Sequence, residues 1–156
     1  MKKQNNKIHD FFLKKGLGNL ISENKKNNLT VNQLKSQSPY KPNLDDLFSL
    51  YNFVIKNKRT TILEFGSGWS TLIFTIALNE LKNRYSKKIK NLRRNNPFEL
   101  FVVDNEKKFL NITKNRIKKY FNGKCPIKIN YLYSEVNMTS FNGRIATEYL
   151  NLPKCS

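Results

Sequence analysis

The stretch TTILEFGSGWSTLIFTIAL (60–78) decides the fold. Thr60 to Phe65 is short, apolar and rich in β-branched residues, the pattern of a buried strand, and it runs directly into Gly66-Ser67-Gly68. From Trp69 to Lys82 apolar residues recur at helical spacing. Strand, glycine turn and helix therefore follow one another with no spacer. The glycines permit a tight turn and a close approach to the backbone, and the first turn of the helix offers amide donors that no helical carbonyl uses. Such a turn lies at the carboxyl end of its strand, where open α/β sheets place their ligand crevices.

Upstream, Asn43 is placed to cap a helix beginning at Leu44, with Asp45 and Asp46 in its first turn, where acidic side chains oppose the positive end of the helix dipole. Leu44, Leu47, Phe48, Tyr51, Val54 and Ile55 give that helix one apolar face to about Lys56. Downstream, 83–98 is a basic connection that extends the preceding helix before Asn96-Pro97 breaks it. Glu99 to Val103 reads as a second strand ending at Asp104, and Asn105 or Asp104 is expected to cap a helix running to about Lys119. Gly123 and Pro126 mark its exit, and a third strand is expected over Lys128 to Ser134.

Strands alternating with helices require right-handed crossovers, so the predicted class is α/β: Rossmann-like, a mostly parallel sheet with flanking helices. The remaining 22 or so residues are less regular; Arg144 to Leu150 reads as a short helix, and no fourth strand is evident before Pro153. On this reading 1–43 is a basic, partly helical N-terminal arm and 44–156 a partial Rossmann-like cofactor-binding domain, incomplete at its C-terminus.

Composition narrows the partners. The chain has 156 residues, 29 Lys plus Arg against 11 Asp plus Glu, a formal charge of +18 and 38% hydrophobic residues, room for one domain with a modest core. That charge attracts nucleic acid or another polyanion without specifying a geometry, and Lys82, Arg84, Lys87, Lys88, Lys90, Arg93 and Arg94 are either a phosphate-facing surface or a solvated helix face. Two cysteines, Cys125 and Cys155, and one histidine, His9, exclude a disulfide-rich scaffold and the usual His-rich centres, so no metal site is expected. Asp10, Lys14 and Lys15 interrupt the apolar run a secretory signal needs, and TLIFTIAL (71–78) is far short of the roughly 20 residues of a spanning helix. A cytoplasmic chain with no membrane span is expected, and a homo-oligomer remains open.

Two distant acids give the crevice its chemistry. Asp104, at the end of the neighbouring strand, can accept hydrogen bonds from the vicinal hydroxyls of a ribose. Glu64, beside the glycine turn, repels a bare phosphate and suits a ligand carrying an ammonium group. Trp69 is expected to pack between sheet and helix, and Ser70 and Thr71 to satisfy helix-terminal amides.

With these residues in view, TILEFGSGWSTLIFTIAL (61–78) resembles the first motif, and ELFVVDNEKKFL (99–110) the second-strand signature, of the class I S-adenosylmethionine-dependent methyltransferase family. The resemblance covers roughly 44–135 and implies the N-terminal part of that family's Rossmann-like domain. It implies S-adenosyl-L-methionine as cofactor, with Glu64, Gly66, Ser67 and Gly68 around its methionine part, Asp104 on the ribose and the stretch at Ser134 and Glu135 near the adenine. A complete member adds further strands after the third, so the resemblance implies cofactor binding and names no methyl acceptor or catalytic residue. One alternative is a nicotinamide dinucleotide-binding protein, although Thr71 stands where the last glycine of G-x-G-x-x-G would be. The other is a noncatalytic basic module binding a polyanion or a protein.

Overall fold

A computed structural model of the chain describes residues 2–25, 41–89 and 96–154. The chain divides into two compact units, Met1–Phe53 and Val54–Ser156. The first holds α1 (Lys2–Lys14), α2 (Gly18–Lys25) and most of α3 (Leu44–Lys56), within which the division falls. Gly16, at φ +70°, stops α1, a left-handed conformation that costs glycine little, and the amide of Leu17 turns back to the carbonyl of Phe12 at 2.8 Å. Phe12 and Leu20 are fully buried, and the Phe11 ring stands against Phe48 and Tyr51 at 5.1 and 4.6 Å between centroids. The arm thus has an aromatic cluster built with α3. Asn43 caps α3 as its side chain predicts, accepting from the amides of Asp45 and Asp46 at 3.0 and 3.4 Å.

The second unit is a mixed α/β domain with parallel and antiparallel strands flanked by helices, generically Rossmann-like. It runs β1 (Thr61–Phe65), α4 (Trp69–Ile89), β2 (Glu99–Asp104), α5 (Lys107–Tyr120), β3 (Lys128–Tyr133), β4 (Val136–Phe141) and β5 (Arg144–Tyr149). The first three strands form a parallel sheet in the order β1-β2-β3, with Glu64 opposite Val102 and Asp104 opposite Tyr133. The middle strand, β2, is covered most completely: Leu100, Val102 and Val103 are inaccessible to solvent. Leu72, Ile73, Leu78 and Leu81 supply the buried stripe of α4, which continues past Lys82 to Ile89.

The C-terminal stretch corrects the sequence reading. Arg144 to Leu150 was expected to be a short helix, but Arg144–Tyr149 is a strand paired antiparallel with β4. Asn142 and Gly143, at φ +51° and +73°, form the two-residue loop between them. Both residues of such a loop need left-handed backbone, which Asn and Gly tolerate best, and the primed turn they form matches the twist of paired strands. The spacing of Ile145, Tyr149 and Leu150 suits a helix, yet the Asn-Gly pair between two alternating runs fixes a hairpin.

Candidate functional site

The candidate site begins where β1 leaves the sheet. The amide of Gly66 donates to the carbonyl of Val103 at 2.7 Å, so the turn stays attached to β2 while its backbone swings to φ +82°. A β-carbon on Gly66 would meet nothing within 4 Å, so the space beside this residue is open. Gly68 is held by the next turn of chain, its amide donating to Thr71 Oγ1 at 3.0 Å. Thr71 therefore serves the helix start, as its residue type suggests, whereas the Ser70 hydroxyl, expected to do the same, donates to Glu64 instead.

Asp104 is the fixed point of the site. Its Oδ2 accepts from the Ser67 amide at 2.7 Å and the Ser67 hydroxyl at 2.6 Å, and its Oδ1 accepts from the Glu106 amide at 2.8 Å. Its backbone carbonyl accepts from the amide of Ser134 at 3.1 Å. One buried residue thus ties these elements together, its carboxylate holding the glycine turn and the start of the next loop and its backbone carbonyl holding the end of β3. A carboxylate has about four acceptor positions, so Oδ1 retains one, and a two-point grip on a ribose requires the Ser67 hydroxyl to turn away. The expected helix cap is corrected here: Glu106 occupies the N-cap position of α5 with no side-chain hydrogen bond, and Asp104 makes a local turn to the Glu106 amide instead.

Glu64 differs from Asp104 in being half satisfied. Its Oε1 accepts from the Ser70 hydroxyl at 2.5 Å, while its buried Oε2 has no hydrogen-bond partner among the described residues. Burial pushes its carboxyl from 4.5 up to about 7; the Ser70 and Thr71 hydroxyls hold it back and the charge of Asp104 adds to the rise. Near neutral pH the group is poised between its acid and its carboxylate, and any cation delivered to Oε2 favours the carboxylate.

The remaining predicted residues fall around this pair. Glu135 sits at the same end of the sheet, but through its backbone: its carbonyl accepts from the Ser134 hydroxyl at 2.9 Å and the Leu150 amide at 3.0 Å, and its side chain is exposed. Trp69 lies under the Arg116 guanidinium of α5, 3.8 Å from its ring centroid, which makes it a wall between the two helices. Tyr149 is the neighbour that sequence reasoning missed. Its ring packs on Phe65 at 5.1 Å, and burial, then the charge of Asp104, push its phenol upward. Only the Asn-Gly signal, which brings β5 back to the end of β1, could have placed it there.

In the basic connection Arg84 pairs with Glu80 on its own helix and Lys82 donates to the carbonyl of Pro126 at 2.6 Å; Lys87 and Lys88 are exposed. Lys90, Arg93, Arg94 and Cys155 lie outside the described residues. Among the described residues no cluster of three His, Cys, Asp or Glu is placed to hold a metal ion, and no helix is long and apolar enough to cross a membrane. No protein-family model matches the chain, and neither does any curated protein or solved structure.

Proposed function

We propose that the carboxyl ends of β1 and β2, with Glu64, the glycine turn and Asp104, bind S-adenosyl-L-methionine, and that the chain is a methyltransferase or the cofactor-binding part of one. The observation that carries this reading is Glu64 Oε2, a buried carboxylate oxygen with no partner beside an open glycine turn. An acid held there disfavours the pyrophosphate of a dinucleotide and favours a ligand with an ammonium group. The cofactor meets that requirement with the amino group of its methionine part, and its ribose brings one hydroxyl for the remaining Oδ1 position of Asp104 and a second for the position the Ser67 hydroxyl gives up on turning away. It supplies an electrophilic methyl on a sulfonium; the role of Gly66, Ser67, Gly68 and Glu64 is to hold and orient it, since in-line positioning of the acceptor accounts for most of the catalysis such a transfer needs.

The test is calorimetric titration of the folded chain with S-adenosyl-L-methionine, beside the Glu64→Gln and Asp104→Asn variants. Saturable binding is expected, weakened about tenfold or more by each substitution, the loss of a charge-assisted hydrogen bond. A folded chain that does not bind, or binds NAD instead, refutes the reading.

A further inference from the structure

At the other end of the sheet, α5 returns to the amino end of β3 and leaves a cavity of about 300 Å³ between them. Its apolar floor is Ile117 of α5 with Ile129 of β3; Tyr131, two residues on and therefore on the same face of the strand, walls it. Lys114 and Lys118, one helical turn apart and both exposed, stand at its rim, and Cys125 lines the loop side. No acidic side chain lines it. The helix behind it carries Lys107, Lys108, Lys114, Arg116, Lys118 and Lys119 and no carboxylate. Lys114 Nζ sits 5.0 Å from the centroid of the Tyr131 ring, so one ammonium is already held over an aromatic face.

An apolar floor with cationic groups converging on one side is the usual construction of a site for a small organic anion, and this volume is at the lower limit of such sites. Inorganic phosphate would leave the isoleucines without a partner. We propose that this cavity binds a small amphiphilic anion, a single ring or short alkyl chain ending in a carboxylate or phosphate, with the ring on Ile117, Ile129 and Tyr131 and the head between Lys114 and Lys118. None of the residues lining this site belongs to the one at the carboxyl ends of β1 and β2, although Tyr131 stands level with Glu64 across β2; its test uses no cofactor and so does not rest on the cofactor reading.

Cys125 provides a local reporter. The chain has two cysteines, so Cys155→Ser leaves Cys125 as the single thiol. Cys125 is exposed and so open to iodoacetamide, while partial desolvation raises its thiol, an effect the Ile127 amide and Lys82 partly offset; its alkylation is followed by mass spectrometry. With phenyl phosphate as the probe, alkylation is expected to slow about tenfold when the probe is about ten times its half-protecting concentration. Phenol and inorganic phosphate should each protect far less, benzoate in place of phenyl phosphate shows whether the head is carboxylate- or phosphate-selective, and either selectivity supports the site. Lys114→Glu with Lys118→Glu should abolish the protection, while Lys114→Arg with Lys118→Arg, folded by circular dichroism, should keep it. Unchanged alkylation with both aromatic anions, equal protection by inorganic phosphate, or protection that survives the Glu pair would overturn the proposal.

Discussion

The two sheets of this chain are built on opposite terms. In the parallel sheet, β2 buries every residue from Leu100 to Asp104, and its neighbours hold it in register on both sides. In the hairpin, Met138, Phe141 and Ile145 are 73%, 71% and 81% exposed, and the strands are attached to the sheet by a few contacts at one end. Those contacts include the Tyr149 ring on Phe65 and the Asn151 amide on the Ser134 hydroxyl at 2.8 Å. The parallel sheet is stabilised by what it buries, while the hairpin is specified by its turn and its anchorage, since two strands alone are marginal in water. The candidate crevice lies where the two meet, so its acids are set by the rigid sheet and its rim by the lighter hairpin.

The sharpest way to break that contrast is to remove volume from the middle strand. Leu100→Ala is expected to cost about 2–5 kcal/mol in denaturant unfolding, because a fully covered site cannot collapse around the loss. The next effect concerns the acid at the end of the same sheet. Because the folded chain raises the Glu64 carboxyl from 4.5 to about 7, the folded state holds that proton more tightly than the unfolded state. Its contribution to stability is therefore complete below pH 4.5, falls as pH rises to about 7 and is flat above, a loss of about 3 kcal/mol. Unfolding followed across that range should show the loss in the native chain and its absence in Glu64→Gln; parallel profiles would contradict the burial argument.

A smaller effect is expected at the turn. Gly66→Ala has space for its methyl group but must hold φ +82°, so the cost is backbone strain alone, about 1–2 kcal/mol. The smallest is expected in the hairpin, where Ile145→Ala should change stability by no more than about 0.5 kcal/mol. A loss comparable to that of Leu100→Ala would mean that the exposed face of the hairpin is covered in solution, and would turn the contrast between the sheets into a shared property.

The same contrast explains what was legible in the sequence. A strand buried on both faces must be an apolar run, so ELFVV declared β2 without any knowledge of its neighbours. TTILEF declared a strand by the same signal, but β1 lies at the edge of the sheet and leaves Leu63 and Phe65 43% and 54% exposed, so its expected burial is corrected; the glycines and Asp104 placed the candidate site at the strand ends. Asn43 likewise announced its helix, because capping is a local interaction. The hairpin was less legible: Ile145, Tyr149 and Leu150 fit either period, and the decision belongs to Asn142-Gly143, two residues outside the run being read. Tyr149 was lost with it. The difference between Glu64 and Asp104 was also out of reach, since both are acids at strand ends. Only tertiary placement gives one of them three donors on its carboxylate and leaves the other with an oxygen unpaired.

That difference is what a cofactor would meet, and it is best measured as proton linkage. Calorimetric titrations with S-adenosyl-L-methionine, run from acid to neutral pH in buffers of different ionisation enthalpy, read both affinity and protons released. If an ammonium group seats on Glu64, binding must draw off the proton that burial retains: affinity should rise about tenfold per pH unit up to about 7, with up to one proton released, and Glu64→Gln should bind weakly with neither effect. Binding that is independent of pH and unchanged in Glu64→Gln, or no binding by the folded chain, would contradict the account.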